Sequence, residues 1–202
     1  MRLSIGCAVV LGPLLISSCV AMDGHPAERP KAVVESINTD LGVASCKRFT
    51  DKSDPNQTPY RVCPGVAGHA LIVRQVDSGR QSIDIVDPAQ RAFPLDFHEF
   101  VTRHMFSIDR TVEWRVTTKD AKNLPIALIV RVRARESQSN PETVTRSYLV
   151  VAKITPNEMC VTDRIAEGSL SQEEVRSAAD SAHARGCLAP QPPMTVDGAT
   201  VR

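Results

Sequence analysis

Two neighbouring runs alternate apolar and polar side chains with a period of two, and this alternation constrains the chain to an antiparallel sheet. In residues 111–117, Val112, Trp114 and Val116 share one side while Glu113 and Arg115 share the other. In residues 126–135, Ile126, Leu128, Val130, Val132 and Ala134 fall together. Successive strand side chains point to opposite faces, so a strand gathers each set and a helix scatters it. The second face of the later run changes from Ala127 and Ile129 to Arg131, Arg133 and Arg135. That predicts a strand covered on both sides at its start and wet at its end, with Trp114 in the core.

Other strand-like runs surround this pair. Residues 70–76 and 81–86 flank Asp77-Ser78-Gly79-Arg80, a hairpin signal. Residues 146–154 are apolar on both faces and predict a central strand. Residues 159–164 pair back to it across Pro156-Asn157, and residues 119–124 and 137–143 read as turns. Two segments have helical character instead. Phe97, Phe100, Val101 and Met105 recur at helical spacing, and Ser171 with Glu174 forms a capping box ahead of Val175, Ala178, Ala179 and Ala182, with Gly186 as the stop. The expected fold is α+β: an antiparallel sheet with a C-terminal helix packed on it, stapled by two disulfides.

The disulfides follow from where the chain begins. After Arg2, residues 3–16 are mostly apolar, a length suited to a signal peptide and too short to span a bilayer. Ile16-Ser17-Ser18-Cys19 resembles the lipobox of bacterial lipoproteins, which implies a signal peptide at 1–18 and a lipid on Cys19. In that class an Asp directly after the cysteine commonly signals inner-membrane retention. Val20 stands there, which implies an outer-membrane lipoprotein facing the periplasm. The alternative is cleavage after Ala21 and a soluble periplasmic or secreted protein. Residues 19–32, with Gly24, Pro26 and Pro30, read as the lipidated end and a flexible tether; 33–188 as one globular domain; 189–202 as a disordered tail. Of six cysteines, Cys7 lies in the signal, so Cys46, Cys63, Cys160 and Cys187 remain to pair in an oxidising compartment. Three connectivities are open, and the expected one joins sequence neighbours, Cys46 to Cys63 and Cys160 to Cys187.

Charge and motifs narrow the function. The 24 Lys and Arg nearly balance the 23 Asp and Glu, and aromatics make up 4% of residues, which argues against nucleic acid as a partner. No C-x-x-C, zinc spacing, Walker loop or serine elbow is present, so no metal, cofactor or catalytic residue is expected. His98 and His104 lie six apart, on different faces of a helix. The glycine-rich stretch from Cys63 to Gly68 leads into a strand and not a helix, so it reads as a turn and not a phosphate cradle. What remains is a row of cations at strand spacing, Arg131, Arg133 and Arg135, extended by Arg115 or Arg74 from neighbouring strands. They are candidates for a face that binds an anionic polymer, a lipid head group or an acidic protein, against a solvated face paired with Glu113, Asp84 or Glu136.

Several pieces also occur together in a family of uncharacterised bacterial secreted proteins: Cys46, Cys63-Pro64-Gly65 with Gly68, residues 111–115 (TVEWR), Pro125 with Ala127 and Ile129, residues 148–151 (YLVV), Cys160, and Ala178-Ala179-Asp180 before Cys187. The chain resembles that family over residues 40–187, which implies one exported domain and carries no activity across. The combined expectation is a non-catalytic envelope module that binds a protein or envelope polymer, held to the membrane by its lipid. The alternatives are an envelope hydrolase with a dispersed triad, or an inhibitor of a wall-degrading enzyme.

Overall fold

In the computed structural model, which describes residues 33–119, 122–135, 146–191, 194–196 and 199–201, the two alternating runs become β8 (Thr111–Lys119) and β9 (Lys122–Arg135). They pair antiparallel with Trp114 opposite Leu128 and Glu113 opposite Ile129. A larger sheet grows from them in the order β1 (Val34–Asp40), β8, β9, β10 (Arg146–Ile154), β11 (Met159–Ala166). A short β7 (Met105–Ile108) pairs with the far end of β9, beyond the part that β8 occupies.

The chain between β1 and β7 makes a second sheet, an antiparallel meander of β2 (Lys47–Thr50), β3 (Pro59–Pro64), β4 (Ala70–Asp77), β5 (Arg80–Val86) and β6 (Ala92–Pro94). The two sheets share one core. Cys63, Leu71, Val73, Ile83 and Ile85 come from the smaller sheet, and Val112, Trp114, Val116, Leu128, Val130, Val132 and Val150 from the larger. Trp114 is fully buried, and its indole N–H donates to Thr39 Oγ1 at 3.0 Å, so its polar atom is satisfied inside the core.

This architecture corrects the α+β expectation. The molecule is β-rich, and among the described residues one helix exceeds seven residues, α2 (Gln172–Asp180). The helical spacing after residue 94 yields only α1 (Phe97–Phe100), whose Phe97 packs edge-on against Phe106 of β7. Beyond it the chain straightens, because Met105 and Phe106 enter the ladder with Arg135 and Ala134. Alternation reveals strands one at a time; it carries no information on how many sheets they join.

α2 packs on the outer face of the larger sheet. Val175, Ala179 and the following Ala182 meet Ala127, Ile129 and Val151 in a second, smaller core. The capping box is present: Glu174 N–H donates to Ser171 Oγ at 3.3 Å, and Ser171 N–H donates to the Glu174 carboxylate at 2.8 Å. Disulfides join Cys46 to Cys63 and Cys160 to Cys187. Leu188, the last residue of the expected domain, donates its N–H to Val161 O of β11 at 2.8 Å, and in the expected tail Gln191 N–H donates to Glu99 O at 2.5 Å. Further on, β12 (Met194–Val196) and β13 (Ala199–Val201) pair antiparallel. The signal at 1–18, Cys19, the tether to residue 32 and the turn at 137–143 lie outside the described residues. Among the described residues no helix is long and apolar enough to cross a membrane.

Candidate functional site

The outer face of the larger sheet carries the predicted arginines, and α2 divides them. Arg115 lies beneath the helix, 7% exposed, where its guanidinium makes a two-pronged contact with Asp180 at 2.6 and 2.9 Å. It also donates to Ser36 Oγ. A fork-to-carboxylate pair at this depth locks the helix end to the sheet and leaves no cation for a ligand. Arg131 and Arg133 lie past the helix and share Asp109, which leads into β8; Arg131 also pairs with Glu167. Arg135 is exposed at the end of β9. The four therefore do not form one continuous cationic row.

At the boundary between the covered and open halves of this face is a cleft of about 380 Å³. Its apolar floor is Ile129, Leu149 and Val175. Its rim alternates in sign: Asp109, Glu113 and Glu167 against Arg131 and Arg176, with Asn38, Thr111 and Gln172 between them. The connection from β11 to α2 overhangs one side, presenting Leu170, and turns at Gly168 with φ of 83°. Glu113 is the most enclosed acid of the group. Burial pushes its carboxyl up, but Arg176 at 2.7 Å, the Ser36 hydroxyl and the nearby Arg115 outweigh it and hold the carboxyl below its ordinary range. It stays charged at neutral pH. The charged rim groups are paired with one another, so a ligand gains from the floor and from additional hydrogen bonds, not from a bare charge.

Sequence reading singled out Arg131 here and missed Asn38, Asp109, Glu167, Leu170 and Arg176. These come from β1, the β7–β8 connection, the β11–α2 connection and α2, and only the folded register brings them together.

The four described histidines lie away from the cleft. His69 Nδ1 contacts Val66 O at 3.0 Å, and the ring packs edge-on against Trp114. His98 is between Arg80 and Arg103. Among the described residues no histidine nitrogen is hydrogen-bonded to a hydroxyl or a carboxylate. The stretch from Cys63 to Gly68 is the end of β3 and the turn that leads into β4, closed by Gly65 N–H to His69 O and His69 N–H to Val66 O, both at 3.0 Å. Glu158, Cys160 and Cys187 cluster closely, but both sulfurs are consumed by their disulfide and are not thiolate ligands.

In comparison with known proteins, no family model matches the chain, and neither a curated protein nor a solved structure matches it.

Proposed function

We propose that this is an exported, lipid-anchored envelope protein whose domain is a non-catalytic binding module for a protein segment or an envelope polymer. The observation that carries the reading is the cleft on the outer face of the larger sheet: concave, apolar-floored, ringed by both signs of charge and, among the described residues, lined by no histidine, cysteine or serine. An apolar floor with a few convergent polar groups is the usual form of a binding cleft. A rim of mixed sign suits a ligand bearing both hydrogen-bond donors and acceptors. The two disulfides point to an oxidising compartment outside the cytoplasm. The lipobox-like residues before Cys19 and the resemblance to secreted proteins support export, and Val20 supports outer-membrane placement facing the periplasm.

Photo-crosslinking in cells tests the module. A crosslinking side chain at Gln172, on the cleft rim, should capture a partner that the same probe at Val76, exposed on the smaller sheet, does not. Leu170→Asp should abolish that adduct. Equal adducts from both positions, or none from Gln172, would count against the reading. Labelled palmitate tests the anchor: uptake should occur in the native protein and cease in Cys19→Ser.

A further inference from the structure

The core-facing side of the smaller sheet ends in charge. Leu71 and Ile85 form one inward cross-strand row with Cys63, and Val73 and Ile83 the next, with all five side chains in the shared core. The residue of β3 in that second row, opposite Val73, is Arg61. Opposite Arg61 on the edge strand β2 is Arg48. The following inward row is Gln75 paired with Gln81. Two guanidinium-bearing residues thus face each other at a directly opposed cross-strand position, an arrangement that is destabilising without an anion between them.

No anion of the described residues is placed there. Among the described residues neither Arg48 nor Arg61 forms a salt bridge, and the buried Arg61 Nε has no hydrogen-bond partner. The neighbouring Arg74 is neutralised by Asp84 at 2.5 Å. Around the pair is a cavity of about 270 Å³ whose lining, among the described residues, includes Thr58, Tyr60, Gln75 and Gln81 and no carboxylate. A buried guanidinium N–H left unpaired costs stability, so its retention at an inward position calls for a ligand that completes it.

We propose that this cavity binds a phosphate group, free or carried as a monoester. A carboxylate has two oxygens in one plane and satisfies one guanidinium fork, whereas tetrahedral phosphate offers oxygens to both forks at once. The cavity exceeds a bare phosphate, and Tyr60 with Val43 provides an apolar wall for an organic remainder. The site lies on the smaller sheet and does not depend on the cleft beside α2 or on what that cleft binds.

Calorimetric titration of the full chain in non-ionic detergent, at pH 7.5 and low chloride, tests this with two probes: inorganic phosphate and glycerol phosphate. Saturable binding of either is the expected result, and the tighter probe identifies free phosphate or a monoester as the source. Arg48→Gln, at an exposed edge position where folding is not at risk, should weaken binding at least about tenfold, the loss of one charge-assisted contact. Arg61→Met should abolish binding and, without phosphate, raise the melting temperature by removing an unpaired buried N–H. The proposal is overturned if neither probe binds beyond sodium chloride of matched ionic strength, if Arg48→Gln binds as the native protein does, or if Arg61→Met melts lower in phosphate-free buffer.

Discussion

Three residues show how position sets the role of a side chain. Arg115 belongs to the polar face of an alternating strand, yet it is buried because α2 covers that part of the sheet. Gly65 is small for a reason of space: a Cβ there would lie 2.8 Å from Trp114 Cζ2 and 2.8 Å from His69 O. Neither the core tryptophan nor a backbone carbonyl in a tight turn can yield easily. Gly65→Ala should therefore destabilise the domain by about 1–3 kcal/mol, the usual range for overpacking, read as a lower denaturant midpoint at unchanged slope. His98 offers a pH test. Burial and the Arg80 and Arg103 guanidiniums push its imidazole pKa below the ordinary 6.5, against the smaller opposing pull of Glu99 and Asp77. The unfolded chain takes up a proton at this residue below about pH 6.5 while the folded chain resists, so stability falls as pH drops from 6.5 toward the lowered folded value. His98→Gln should flatten that part of the stability–pH profile; a profile unchanged by the substitution would show that the histidine is not its source.

At the scale of elements, α2 was the most legible feature in the sequence and its attachment the least. The capping box and apolar stripe are local signals, readable within a dozen residues. Ser171→Ala, which removes the cap, should cost about 1 kcal/mol. The contact that fixes the far end, Arg115 with Asp180, joins residues 65 apart, and no local pattern announces it. Asp180 ends the helix, where a negative charge opposes the helix dipole, and Arg115 offsets that penalty. Asp180→Ala should cost about 2–3 kcal/mol by leaving the buried guanidinium with only Ser36 and a longer contact to Glu113. Arg115→Met combined with Asp180→Ala should recover much of the loss, since no buried charge then remains unpaired. If the double variant is no more stable than Asp180→Ala alone, the pairing account fails. The same distance effect hid the cleft and the Arg48–Arg61 pair. β2 is exposed throughout as Lys-Arg-Phe-Thr, with no alternation to mark it as a strand, so the register opposing the two arginines was not available from the residues themselves.

For the whole molecule, the sequence resolved strands but not their partition into two sheets. The hairpin between residues 111 and 135 was readable because both partners alternate, and the one between 70 and 86 because apolar runs flank the turn residues Asp77-Ser78-Gly79-Arg80. β1 and the exposed β2 lack a clear alternation, and the four residues of β7 include apolar side chains whose spacing also fits a helix, so these strands were not readable. The two disulfides secure one sheet each, and they allow loop entropy and core packing to be set against one another. Cys46–Cys63 closes a separation of 17 residues and Cys160–Cys187 one of 27. Chain entropy alone makes the longer loop worth more, by about 0.4 kcal/mol out of about 3–4 for either. Packing opposes this. Cys63 is fully buried in the core shared by the sheets, with Cys46 packed against it, whereas Cys160 is half-buried and Cys187 exposed at the margin of the larger sheet. Truncating a buried sulfur in a close-packed core costs about 1 kcal/mol or more, which exceeds the entropic difference. Cys46→Ala with Cys63→Ala should therefore be the more destabilising pair despite its shorter loop, by about 1 kcal/mol in guanidinium unfolding compared with Cys160→Ala and Cys187→Ala. The reverse order would mean that restriction of the unfolded chain, and not the core between the sheets, dominates what these bonds contribute.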